Sequence, residues 1–402
     1  MPYITEIYAK EILDSKGLPT LECEVFTESG AYGRASVSSM YDQIFDNKEV
    51  RDKDNKRYLG LGVLKAVENI NNIVEKALVG EDVRDQAKID NKLLKIDNTL
   101  NKSKLGVNTI LSVSLAVARA ASDYTGLSLH TYLGGPMSRT VPSPVITIAT
   151  YKGFQVMAEV IKEIPVIEKF SIINDIKNKF LSNTQTFNND VSFFEGFSSL
   201  DSVLDEIKKI IESLGLKITK DINLIVSVSS DYLYDTKTKK YSIIDDKKTS
   251  LEMIEYYESL LKKYNISMFI DPLSHQDSDN YKKLTKRLGQ RTKIAGYNLY
   301  SSSRRKIEKG LTNFYTNSII LNISEIGTLT ETYDLVEYIK ERGINVSLAI
   351  SNSESEDSFI ADLGVALNID KLILSSIDSN GSTPKYNELI RIEDSLGLAS
   401  KH

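Results

Sequence analysis

The chain has 402 residues, of which 41 % are hydrophobic and 26 % charged, and this composition is that of an ordinary globular protein. Its length exceeds what one compact core usually holds, so two domains are expected. The net charge of −5 gives no reason to expect binding to nucleic acid, and no apolar run is long enough to span a membrane. The single cysteine, Cys23, excludes an internal disulfide and, with no apolar signal at the N-terminus, favours the cytoplasm.

The first part of the chain, residues 1–138, mixes strand and helix patterns. Apolar and acidic residues alternate around Cys23, which predicts an antiparallel meander with this cysteine in the core. Residues 63–78 carry apolar side chains at helical spacing. Residues 105–124 are apolar on nearly every side, which predicts a helix buried between other elements. These patterns indicate an α+β domain that ends near Gly134-Gly135-Pro136.

The second part, residues 139–402, alternates short apolar runs with longer helical patterns. The predicted strands include residues 223–228, 266–270, 293–295, 318–323, 345–350 and 372–374. Repeated strand–helix units predict parallel strands, and this many units favour a closed α/β barrel. In such barrels the chemistry lies at the carboxyl ends of the strands.

Several ordered segments resemble the enolase family, and the resemblance covers essentially the whole chain. They include ITEIYAKEILDSKGLPTLECEV, KLGVNTILSVSLAVARAAS, SIILNISEIGTLTET and KYNELIRIEDSLG. The resemblance implies an α/β protein, with an α+β N-terminal capping domain over residues 1–138 and a TIM-like barrel over residues 139–402. It is weakest over residues 147–199.

The resemblance also implies which positions carry catalysis, and this chain departs from the pattern at each of them. Enolases dehydrate 2-phosphoglycerate with a lysine base, and that position holds Asn322, whose amide cannot accept a proton from carbon. The position of a catalytic glutamate holds Phe194. The positions that bind the substrate phosphate begin at Ile350, and a late lysine that holds the substrate carboxylate is replaced by Ile373.

The metal positions are replaced as well. Enolases bind magnesium through three carboxylates at strand ends, and these fall on Ser227, Ile270 and Tyr297. Mg²⁺ prefers anionic oxygen ligands, which these side chains do not supply. The loop that closes over the substrate is also changed, with Asp42 and Gln43 in place of a Ser-Thr pair. We therefore expect magnesium binding to be lost.

These replacements predict a catalytically inactive enolase homologue, a pseudoenzyme retained for protein binding, assembly or regulation. Because hydrocarbon, phenol and amide replace charged groups, we expect a filled and less polar barrel mouth. One vestige of the family's acids is Glu163, in the segment where the resemblance is weakest.

Two alternatives remain open from the sequence. One is weak or altered enzymatic activity in a remodelled mouth built from Glu163, Glu195, Asp271, His275 and Asn322. For Asp271, a structural role in its loop is the preferred interpretation, because adjacent strand residues point to opposite sides. The other alternative is an adhesin, since YLYDTKTKKY resembles a plasminogen-binding stretch of some bacterial enolases.

The resemblance further implies a homodimer formed through the first domain. Lys10 and Lys16 occupy arginine positions of the family, and Glu393 and Asp394 retain its acidic residues near the C-terminus. Charge is kept but the bidentate guanidinium is lost, so weaker ion pairs are expected. Assembly with an authentic enolase from the same cell is a further expectation.

Overall fold

The computed structural model describes residues 1–41, 45–183, 197–243, 246–377 and 379–401. The first part of the chain forms a three-stranded antiparallel sheet with helices packed against one face. Its elements are β1 (Ile4–Leu13), β2 (Pro19–Thr27), β3 (Tyr32–Ser36), α1 (Leu64–Asn69), a π-helical turn (Ile70–Val74), α2 (Glu75–Leu78), α3 (Gln86–Asp97), α4 (Val107–Thr125) and α5 (Leu129–Gly134).

The central contact of this domain is between the sheet and α4. As predicted, α4 is buried along most of its length and Cys23 lies in the core, where burial raises the pKa of its thiol far above the ordinary value. Gly33 of β3 lies so close to α4 that an added Cβ would be 2.0 Å from the Ala116 carbonyl oxygen. Only glycine allows this approach of strand and helix.

The second part of the chain contains the remaining strands and helices. The strands are β4 (Ser143–Tyr151), β5 (Phe154–Val160), β6 (Ile222–Val228), β7 (Tyr234–Asp235), β8 (Lys240–Ile243), β9 (Asp246–Thr249), β10 (Met268–Ile270), β11 (Lys293–Gly296), β12 (Ser318–Leu321), β13 (Asn345–Ala349) and β14 (Lys371–Leu374). The helices are α6 (Val166–Asn183), α7 (Leu200–Ser213), α8 (Ser230–Leu233), α9 (Ser250–Tyr264), α10 (Ser278–Leu288), α11 (Arg304–Thr312), α12 (Leu329–Lys340), α13 (Phe359–Ala366) and α14 (Thr383–Leu396). No described helix has both the length and the hydrophobicity that crossing a membrane requires.

Within the described residues, eight strands close into a barrel in the order β10-β11-β12-β13-β14-β4-β5-β6. The strand β5 runs antiparallel to both neighbours, whereas the sequence pattern predicted parallel strands. The reason is the short turn at Lys152 and Gly153, which have φ values of +42° and +85°. A two-residue turn reverses the chain, and it is too short for the crossover that parallel strands require.

The barrel interior is arranged in layers. The middle layer is apolar, and its members include Val145, Met157, Ile225, Met268 and Ile320. At the amino-terminal end of the parallel strands, the buried Glu159 forms an ion pair with Lys371 and accepts a hydrogen bond of 2.9 Å from Asn223. The carboxyl ends of the strands form the opposite end, which we call the barrel mouth.

The first domain is fixed to the barrel mouth by buried polar contacts. Ser39 forms a β-bridge with Ser353, and the Ser38 hydroxyl donates to Glu354 at 2.6 Å. The other carboxylate oxygen of Glu354 is 3.0 Å from the ammonium group of the buried Lys385. The segment that precedes the substituted loop is therefore held down on the barrel.

A second set of contacts fixes α4 and α3 to the barrel. Both terminal guanidinium nitrogens of Arg119 donate to the carboxylate of Asp357, at 2.6 and 2.8 Å. The buried Asp90 accepts from the backbone N–H of Thr330 at 3.0 Å, in the first turn of α12. A carboxylate at this end of a helix also interacts favourably with the helix dipole. Both contacts join the two parts of the chain through buried charge.

Candidate ligand site at the barrel mouth

The barrel mouth contains an open cavity of about 890 Å³. It was expected to be filled, and this expectation is not met. Ser227 and Ala349 are too small to close it, and Ile270 and Ile373 contribute to its wall without bridging it. A volume in the range of about 300–1,000 Å³ is typical of small-molecule sites.

The lining of this cavity is polar but almost uncharged. Its described side chains are hydroxyls, amides and hydrocarbons, together with one phenol, and no aspartate or glutamate is among them. The one charged side chain among these lining residues is Lys16, which is exposed. Within the described residues, the lining of the mouth therefore carries little charge.

Asn322, which the resemblance places at the position of the catalytic lysine, is buried and fully hydrogen-bonded. Its amide nitrogen donates to the Tyr297 hydroxyl at 3.1 Å and to the Ser351 hydroxyl at 2.9 Å. Its amide oxygen accepts from the Ser324 N–H at 3.0 Å and so caps the short 3₁₀ helix Ile323–Glu325. A side-chain amide has two donor hydrogens and one acceptor oxygen. All of them are used to connect neighbouring strand ends.

The three residues that the resemblance places at metal positions do not offer a magnesium ion the anionic ligands it prefers. Ser227 and Ile270 are neighbours on β6 and β10, where they provide one neutral hydroxyl and one hydrocarbon to the cavity wall. Burial raises the pKa of Tyr297 well above its ordinary value, so its phenol stays neutral and is a poor ligand for a hard cation. Throughout the described ranges, no group of three or more His, Cys, Asp or Glu side chains has a metal-binding arrangement.

Of the other replaced positions, two are described by the structure. Ile350 and Ile373 follow or end neighbouring strands and line the cavity. Phe194, Asp42 and Gln43 are outside the described residues, as is Glu195, a candidate for the alternative remodelled mouth. Met40, just before the substituted pair, is buried with its sulfur 3.0 Å from the Ser351 hydroxyl oxygen.

Asp271 holds the loop that follows β11. It is buried, has a φ of +45°, and its carboxylate accepts hydrogen bonds from the backbone N–H groups of Tyr297 and Asn298 at 2.8 and 2.7 Å. Burial raises its pKa to about 7, although these donors favour the ionised form. It does not line the cavity. These contacts are those of a residue that stabilises a loop.

His275 belongs to a separate hydrogen-bonded group after β10. Its Nδ1 lies 2.9 Å from Asp231 Oδ1, which also accepts from the Ser274 hydroxyl at 2.6 Å. The hydrogen bond with Asp231 raises the pKa of His275. The side chains of His275, Asp271 and Asn322 share no hydrogen bond in the described structure, and none of the three lines the cavity.

Glu163 lies at the far end of the barrel from the mouth. It is exposed and follows β5, whose antiparallel direction carries the chain to the amino-terminal end of the parallel strands. The acid of this segment that enters the barrel is Glu159, which sequence reasoning missed. The available signal was a single acid within the apolar run of FQVMAEV.

The four residues proposed for a dimer interface have different surroundings. Lys10 is half-buried and pairs with Glu22 and Glu24 at 3.0 and 3.3 Å, whereas Lys16 lines the cavity. Glu393 accepts from the Val166 N–H at the start of α6. Asp394 is exposed.

A second buried acid close to the mouth, Glu325, was also missed. The Ser302 hydroxyl donates to it at 2.6 Å and accepts from the Asn322 N–H at 2.9 Å. Burial raises the pKa of Glu325 to about 8. Glu325 therefore extends the Asn322 network to the loop after β11.

This is a capped α/β barrel protein whose cavity lies between the cap and the carboxyl ends of the strands. Comparison with protein families agrees with this architecture. The chain matches the enolase N-terminal domain over residues 4–133 and the enolase C-terminal TIM barrel domain over residues 155–402. The chain belongs to the enolase family.

The raised pKa of Glu325 predicts how stability changes with pH. Its carboxyl has an ordinary pKa of 4.5 when unfolded and about 8 when folded, so the unfolded state loses this proton first as pH rises. The folded state therefore loses stability as pH rises from 4.5 to about 8. In Glu325→Gln this contribution disappears. As pH rises between these two values, the free energy of unfolding of the variant should therefore fall less steeply than that of the wild type, by up to about 1.4 kcal/mol per pH unit.

Urea denaturation of both proteins at pH 5, 6, 7 and 8 measures this difference. The control is Glu337→Gln, which removes an exposed acid of α12. We expect this control to follow the wild type at every pH. A stability difference between Glu325→Gln and the wild type that stays constant from pH 5 to pH 8 would contradict the prediction.

Proposed function

We propose that this enolase-family chain does not dehydrate 2-phosphoglycerate and acts instead by binding or assembly. The observation that carries the proposal is the lining of the mouth, whose described walls contain one exposed lysine and no carboxylate. The dianionic intermediate of that reaction needs cations around it, and those cations need anionic ligands. The single buried cysteine fits a reducing compartment and supports a cytoplasmic location.

The size of the expected loss follows from the groups that are replaced. Removal of one general acid or base costs about a hundredfold to ten-thousandfold in rate. Loss of a Lewis-acid metal removes several kcal/mol more of transition-state stabilisation. These losses are not additive, but they act on different parts of the reaction.

The hydrogen bonds of Asn322 give a second argument against turnover. A base must be able to reach the substrate proton. The amide of Asn322 is directed to Tyr297, Ser351 and Ser324. Even a change of this residue to lysine would leave the mouth without metal ligands at Ser227 and Ile270.

Turnover of 2-phosphoglycerate with magnesium tests the proposal. We expect activity at least about ten-thousandfold below that of an authentic enolase assayed in parallel, and no recovery in Asn322→Lys. An Asn322→Ala variant purified in the same way measures contamination by host enolase. Wild-type turnover within about a thousandfold of the authentic enzyme, and above the Asn322→Ala level, would refute the proposal.

We also propose that the chain forms a homodimer through the outer face of the first-domain sheet. On this face Tyr8 and Phe26 are 46 % and 36 % exposed, and Lys10 and Glu24 supply charges of both signs next to them. An apolar patch with mixed charge suits a second copy of the same surface. The resemblance implies that Lys10 also forms an ion pair with Asp394 of the second copy.

Light scattering at micromolar concentration tests the dimer. We expect twice the mass of the chain for the wild type and a shift toward monomer for Lys10→Glu, because the substitution places like charge beside Glu22 and Glu24. The control Lys283→Glu makes the same change on the exposed face of α10. A wild-type monomer, or equal effects of the two variants, would count against this interface.

A further inference from the structure

Polar side chains that have no hydrogen-bond partner within the described structure converge on the mouth cavity. They come from different elements and include Thr147, Thr150, Gln155, Ser227, Asn352 and Asn380. Gln155 and Ser227 are direct neighbours across β5 and β6. Gln155 is exposed although its strand lies between two others, because its side chain points into the open cavity.

Thr147 is the most informative of these side chains. It is 5 % exposed, lies on β4, and its hydroxyl has no hydrogen-bond partner among the described residues. Its hydroxyl borders the cavity, where a bound molecule can exchange a hydrogen bond with it.

The charge of the lining restricts the ligand. Recognition of a phosphate ester uses arginine or lysine groups, often in pairs. The described lining has one cation, the exposed Lys16, and the phosphate-binding positions have become Ile350, Ser351 and Asn352. A neutral ligand needs neither cations nor a metal, and hydroxyls and amides are suitable partners for it.

The wall of the cavity is amphipathic. The hydrocarbons of Ile270, Ile320 and Ile373 and the ring of Tyr297 lie close to the hydroxyl and amide groups. Sugars and related polyols also have apolar ring faces and polar edges. The volume of about 890 Å³ is within the range of small-molecule sites.

We propose that the barrel mouth binds a neutral, hydroxyl-rich small molecule of the mono- or disaccharide class, held by Gln155, Ser227 and Thr147. This proposal rests on the proposed function, since it assigns a ligand class to a barrel mouth that does not dehydrate 2-phosphoglycerate. Because the interaction is between uncharged groups, affinity should not depend on ionic strength.

Calorimetry and saturation-transfer NMR on the full chain test the proposal with four neutral probes: glucose, maltose, myo-inositol and glycerol. Glucose 6-phosphate and glycerol 3-phosphate are the charged counterparts. We expect at least one neutral probe to bind with a Kd of about 1 mM or tighter, with the same Kd in low salt and in added sodium chloride. We expect its phosphorylated counterpart to bind more weakly.

Gln155→Leu should weaken that binding by about tenfold, because it removes a donor and an acceptor while keeping the size of the side chain. Gln290→Leu is the matched control, since Gln290 is exposed in the loop before β11, at the other end of the barrel. Absence of binding by all four neutral probes overturns the proposal. Tighter binding of the phosphate esters, or equal losses in the two variants, also overturns it.

Failure here is distinguishable from failure of the proposed function. If 2-phosphoglycerate is turned over, the proposed function fails whether or not the sugars bind. If there is neither turnover nor sugar binding, the loss of activity stands and this ligand assignment fails.

Discussion

The barrel mouth is held together by hydrogen bonds between uncharged groups, and Asn322 is at their centre. It connects the end of β12 with Tyr297 after β11 and Ser351 after β13. Met40 of the first domain packs on the same group. A lysine at this position would put a charge where the donors and acceptors are already matched, and burying an unpaired charge is costly. The contacts that stabilise the mouth therefore disfavour a charged side chain at this position.

Three acidic residues of the described structure near the mouth, Asp271, Glu325 and Glu354, stabilise its supporting loops. Asp271 accepts from the backbone after β11, and Glu325 accepts from Ser302. Glu354 pairs with Lys385 and fixes the segment that carries Ser38. Their oxygen atoms are directed into loops and not toward the cavity, whose described lining contains none of them. In this enolase fold, these three acidic residues stabilise loops close to the mouth without lining the cavity.

Local sequence signals were sufficient for most of the elements. The bounds of α9 follow from such signals, because Thr249 and Glu252 form a capping box at its start and Asn265 takes a left-handed conformation after its end. The reversal of β5 depends on the two-residue turn at Lys152, a signal that the repeating strand–helix pattern obscured. The open cavity could not be predicted, since it depends on how far Ile270 and Ile373 reach across the barrel. The roles of Glu159 and Glu325 depend on partners distant in sequence, Lys371 and Ser302.

Direct titration of the full chain with Mn²⁺, followed by electron paramagnetic resonance with and without 2-phosphoglycerate, tests the central claim most directly. Mn²⁺ is a suitable probe because it takes the same carboxylate and water ligands as Mg²⁺. The account predicts no saturable site up to about 1 mM metal, because the described lining of the mouth has no anionic oxygen ligand. One or two ions bound per chain at micromolar concentration, strengthened by 2-phosphoglycerate and competed by Mg²⁺, would contradict it.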